Sequence, residues 1–138
     1  MNQRPGLSTT SVSFRASLTP MNPVTGLAIG RIAVGTVALL SPGLAAKMFL
    51  LDGAANRSLP YMTRMFGSRE IALGGLTLAS SGEARRRLVQ VGVAIDGADA
   101  FTGIAAAASG AVSKKAGIML ALVAAGAVAN GVVALQDA

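Results

Sequence analysis

The chain has 138 residues, of which 52% are hydrophobic and 13% charged, against roughly 25% charged residues in soluble domains; Gly and Ala supply much of the apolar content, so the composition is that of a membrane protein with closely packed helices. The formal net charge is +6, but the exposed surplus lies in short clusters beside apolar runs, which argues against nucleic acid and for anionic lipid headgroups as the partner. There is no Cys and no His, which excludes disulfides, thiolate nucleophiles, imidazole bases, His-ligated haem and typical zinc sites; no cofactor and no metal are expected.

Residues 1–22 form a Ser/Thr-rich tail with Arg4 and Arg15, no acid and no apolar run long enough for a secretory signal. Met21 offers a second start, and the tail is expected to be disordered unless a partner orders it. A transmembrane domain then fills residues 23–138. Its first span is predicted from Val24 to Leu40, where Ser41-Pro42-Gly43 reads as a stop. Ala45 to Leu51 is too short for the ~20 residues of a crossing and reads as an interfacial helix. The second span opens near Pro60, a favourable first-turn residue, and continues to Ser80. Arg85, Arg86 and Arg87 anchor the start of a third span from Leu88 to Ser109. Lys114 and Lys115 precede a fourth, from Ala116 to Leu135. The expected fold is therefore all-α: an integral membrane bundle of four transmembrane helices with a short interfacial helix between helices 1 and 2.

The Lys and Arg residues of the flanks set orientation. One side carries Arg4, Arg15 and the Arg85–Arg87 triplet; the other carries Lys47, Arg57, Lys114 and Lys115. The triplet in a tight connection favours a multi-pass topology with both termini in the cytoplasm. The flipped topology is the alternative.

Six charges interrupt the spans: Arg31, Arg64, Arg69, Glu70, Asp96 and Asp99. Charge in hydrocarbon persists where a partner or a wet cavity relieves its cost, and three cations against three acids imply an internal ion-paired cluster. At ~1.5 Å per residue, Arg31, Glu70, Asp96 and Asp99 reach similar depth. Asp96 and Asp99, three residues apart, share a helix face, towards which Arg31 or Arg69 points. Arg69 and Glu70, about 100° apart around their helix, are expected to serve different neighbours, while Arg64 is placed to snorkel towards the surface. Two roles compete for this cluster: fixing helix register, or a coupling site in which Asp96, Asp99 or Glu70 changes protonation. Equal numbers of opposite charges favour the first, because a fully paired carboxylate keeps its charge. Small-xxx-small spacings at Gly26 and Gly30, and at Gly126 and Asn130, mark candidate helix contacts.

The order Arg31-Ile-Ala-Val-Gly35, Ser41-Pro42, Arg64-Met-Phe-Gly67-Ser-Arg69-Glu70-Ile-Ala-Leu-Gly74 and Asp96-Gly-Ala-Asp99 resembles the small four-helix membrane proteins of unknown function common in actinobacteria, which are loosely similar to DoxX-like proteins. The resemblance covers about Pro23 to Leu135 and implies the fold and a bacterial inner (plasma) membrane setting. Within it Arg31, Arg69, Glu70, Asp96 and Asp99 are characteristic polar positions and not a catalytic set.

Three functions follow as expectations. The first is a non-enzymatic accessory or stabilising subunit of a larger integral membrane complex, such as a lipid-uptake or cell-envelope transport assembly; very short loops and small-residue faces motivate it. The second is a small oligomeric ion- or proton-coupled transporter or channel using the Arg/Asp/Glu cluster. The third, an enzyme or its membrane anchor with a redox role, is disfavoured by the absence of Cys and His and by Tyr61 being the sole tyrosine.

Overall fold

The computed structural model describes residues 22–136, and the expected 1–22 tail, Asn22 apart, lies outside them. Among the described residues there are five α-helices and no strand: α1 (Pro23–Leu40), α2 (Pro42–Met48), α3 (Leu59–Ala79), α4 (Gly82–Ser109) and α5 (Lys114–Ala134). Helix α1 starts where Asn22 Oδ1 accepts from the Val24 amide at 2.9 Å, with Pro23 in the first turn. This satisfies a donor that would otherwise lack a partner.

The largest differences from the sequence reading are at α2, which runs Pro42–Met48 where a helix from Ala45 to Leu51 is expected, and at the start of α4. Ser41 alone separates α1 from α2, because Pro42, read as a stop, is also well suited to a first helical turn. Helix α4 begins at Gly82, six residues before the predicted span, so the Arg85–Arg87 triplet is helical. Glu83 lies in the first turn, and its Oε1 accepts from Arg87 Nε at 3.0 Å, a favourable i,i+4 arrangement. Gly110, with φ of +77°, ends α4 in the left-handed conformation that glycine adopts without strain.

Helices α1, α4 and α5 are long and apolar enough to cross a membrane. Helix α3 has 21 residues, about 31 Å at ~1.5 Å per residue, but Arg64, Arg69 and Glu70 dilute its hydropathy. Burial is inverted relative to a soluble protein: Arg31, Glu70 and Asp96 are buried while Leu40, Leu76, Phe101 and Ile104 face outwards. That inversion fits a membrane-embedded chain.

The helices form two antiparallel hairpins, α1 with α3 and α4 with α5. Each is held by close backbone approach. A methyl group at Gly67 would lie 2.6 Å from the Gly35 carbonyl oxygen, and one at Gly74 would lie 2.6 Å from that of Ala28. The two contacts are seven residues apart on both helices, two helical turns, which pins the register. In the second hairpin Gly103 and Gly117 play this part, a methyl at Gly103 meeting the Gly117 oxygen at 3.0 Å. Close contact is therefore found at these glycines and not at Gly30 or Gly126, two of the four positions, with Gly26 and Asn130, where small-residue spacing suggests it. A methyl at Gly30 or Gly126 would meet nothing within 4 Å, and all four residues border a void between the hairpins. Small-xxx-small spacing puts residues on one face without saying whether that face meets a helix or a cavity.

The hairpins touch each other more sparingly. At the end where α1 begins and α5 finishes, Val24, Val89 and Ala134 form a small apolar cluster with Leu27 and Leu135 against it. Helix α2 packs on α1 and α3 at the opposite end.

Candidate functional site: a charged chain in the wall of the inter-hairpin cleft

The buried stripe of α1 runs Val24, Ala28, Arg31, Gly35, Ala38; that of α3 runs Gly67, Glu70, Gly74, Thr77; that of α4 includes Val89, Gly92 and Asp96. Steps of three and four residues keep each series on one helix face. Arg31, Glu70 and Asp96 thus occupy core positions, with glycine one turn away making room for them.

Arg31 NH1 donates to Glu70 Oε2 at 2.7 Å and to Asp96 Oδ1 at 3.2 Å, and NH2 donates to Asp96 Oδ2. Gly92 gives this guanidinium its space: a methyl there would lie 2.9 Å from Arg31 NH2. Arg69 NH2 donates to Asp99 Oδ2 at 2.5 Å, and Arg69 Nε donates to Glu70 Oε1 at 3.3 Å. The result is a chain of alternating charge, Asp96–Arg31–Glu70–Arg69–Asp99, drawn from three helices and bridging the two hairpins. Among the described residues no buried side-chain nitrogen or oxygen lacks a hydrogen-bond partner. The Arg69 guanidinium also lies 5.1 Å from the centroid of Phe66, whose ring meets Phe49 edge to face at 6.3 Å. This ties the end of α2 to the chain of charges.

Two expectations change here. Arg69 and Glu70 share a contact as well as serving different main partners, because long side chains bend across the 100° between their backbones. The balance of charge also shifts. Arg64 is exposed and donates from Nε to the Leu39 carbonyl at 3.3 Å, at the C-terminal end of α1, where a cation is favoured. Two arginines therefore face three carboxylates, leaving one negative charge in surplus.

Exposure is graded along the chain. The side chains of Arg31, Glu70 and Asp96 are 5–7% exposed, those of Arg69 and Asp99 34% and 38%. The chain of charges borders a cavity of about 950 Å³ between the hairpins, at the upper end of the ~300–1,000 Å³ typical of small-molecule sites. Its walls are apolar, with Val34, Phe49, Phe66 and Val123 among them, and Arg31, Glu70, Asp96 and Asp99 are set into them.

Of the headgroup candidates, Arg86, Lys114 and Lys115 are exposed, Arg87 pairs with Glu83, and half-buried Arg85 donates to the Ser80 carbonyl at 2.7 Å. The Arg triplet and the Lys pair lie at opposite ends of the bundle, each in the opening turns of a helix. Among the described residues no three acidic, His or Cys side chains are placed to hold a metal.

The chain matches no family model, no curated protein and no solved structure. Gly92 is the site residue that sequence reasoning passed over. Its signal was available in the Val89, Gly92, Asp96 spacing, which places a glycine one turn from a buried acid.

Proposed function

We propose that the protein is a small, non-enzymatic transport module of a bacterial plasma membrane, with α3 as a fourth crossing, α2 at the interface and both termini cytoplasmic. The glycine contacts at two levels along α3 support its crossing beside α1, and its resemblance to small DoxX-like proteins is part of the same proposal. The observation that carries the transport reading is the inter-hairpin cleft with a chain of charges in its wall that is one cation short of balance. Charges inside a membrane mark ion pathways and proton relays, and this set has room for one more positive charge. Reconstituted in liposomes with a pH-sensitive dye, the protein is expected to pass protons, and Asp99→Asn to abolish the flux. Flux unchanged in both Asp96→Asn and Asp99→Asn would sink the coupling role.

A second reading, an accessory subunit docked on a larger membrane complex or a second copy, is favoured by how little the bundle buries: only 17–28% of the most apolar stretch of α1, α4 and α5 is buried. Purification from native membranes in mild detergent separates the two. A stoichiometric larger assembly would make the chain an accessory subunit.

A further inference from the structure

We propose that the cleft binds a monovalent organic cation with an apolar body, its head held at Asp99. The inference rests on the cleft being a ligand site, as argued above, and adds the sign and shape of the ligand.

The sign comes from the distribution of partners. Glu70 receives both Arg31 and Arg69, whereas Asp96 and Asp99 each receive a two-pronged contact from a single arginine, Arg31 and Arg69, that is shared with Glu70; two arginines thus serve three acids. Asp99 is also the most exposed of the three acids, at 38% against 7% for Glu70 and 5% for Asp96. With partners matched between the two aspartates, exposure singles out Asp99 as the acid of this net-negative set that is open to a ligand in the void. An anionic headgroup would meet a surplus of its own sign, with both arginines already committed to carboxylates.

The shape comes from the cavity. A proton alone would neutralise Asp99 without needing about 950 Å³, and a strongly hydrated cation would leave Val34, Phe49, Val123 and Ala127 unused. A cationic head on an apolar body satisfies charge and walls together, since apolar surface leaving water contributes in proportion to its area.

The test uses two probes of the same shape and opposite charge, tetraphenylphosphonium and tetraphenylborate. Each is dialysed against the full chain in nanodiscs, with empty nanodiscs of the same lipids subtracted. Saturable binding of about one phosphonium per chain is expected, at least tenfold tighter than borate, weakened tenfold or more by Asp99→Asn and retained by Asp99→Glu. Gly126→Phe, which fills the cleft from α5, is expected to abolish it. Borate binding as tight as phosphonium, or phosphonium binding that Asp99→Asn leaves unchanged, overturns the inference. Borate binding blocked by Gly126→Phe would overturn the cation assignment while keeping the cleft as a site. Absence of binding by both ions also overturns it, and the transport reading falls with it only if proton flux is absent too.

Discussion

Replacing Arg31 by Leu removes the more buried of the two arginines that bridge the hairpins. Arg31 is 8% exposed and is the one cation paired with Asp96 among the described residues, whereas Glu70 keeps Arg69 at 3.3 Å. The loss therefore falls on Asp96, 4% exposed and left without a counter-charge. Breaking a buried pair from one side costs about 3–5 kcal/mol, most of it the penalty of the stranded charge. Arg31→Lys should be intermediate, because an ammonium keeps the charge without the planar fork that spans two carboxylates. The double variant Arg31→Leu/Asp96→Asn should recover much of the loss, since the stranded charge is gone. Unfolding followed by circular dichroism in a mild detergent measures all three. Arg31→Leu melting within about 0.5 kcal/mol of the parent, the range of a surface substitution, would refute the reasoning and place the charges in water.

Packing and the more exposed charges give further expectations. Gly67→Ala and Gly74→Ala each drive a methyl group against a facing backbone oxygen at 2.6 Å and should cost about 1–3 kcal/mol as overpacking does. Gly75→Ala, with nothing within 4 Å, should be neutral or gain up to about 1 kcal/mol in helix propensity; melting curves of the three variants check the contrast. Arg69→Ala should cost less than Arg31→Leu in the same melts, because both it and Asp99 are about a third exposed and solvent screens such pairs. Arg87→Ala, which loses only an exposed pair with Glu83, should leave the melting temperature unchanged.

Much of the architecture is legible in the chain itself. The runs that become α1, α4 and α5 are apolar over enough residues to cross a membrane, and a constant rise per residue brings Arg31, Glu70, Asp96 and Asp99 to one level. Helix boundaries are less legible where one residue serves two purposes, as Pro42 does in ending one helix and opening the next. Partner choice within the charges was hidden for a different reason. Which arginine meets which acid depends on interhelical register, set between α1 and α3 by Gly35 against Gly67 and Gly74 against Ala28 and towards α4 by Gly92 against Arg31 and Val24 beside Val89, contacts between distant parts of the sequence. Arg64 looks like a third internal cation by composition, yet five residues from Arg69 turn it about 140° away around the helix. The same ambiguity moved Gly30 and Gly126 from an expected contact to the edge of the cleft.

Transport through the cleft requires that water reach the face of α4 lining it, and single-cysteine labelling tests this most directly in a chain that has no cysteine of its own. Thr102 borders the cleft, while Ile104, two residues along the same helix and 60% exposed, does not. In liposomes a water-soluble maleimide is expected to modify Thr102→Cys and to leave Ile104→Cys, facing lipid, unmodified. Equal labelling of the two positions, or faster labelling of Ile104→Cys, would contradict it.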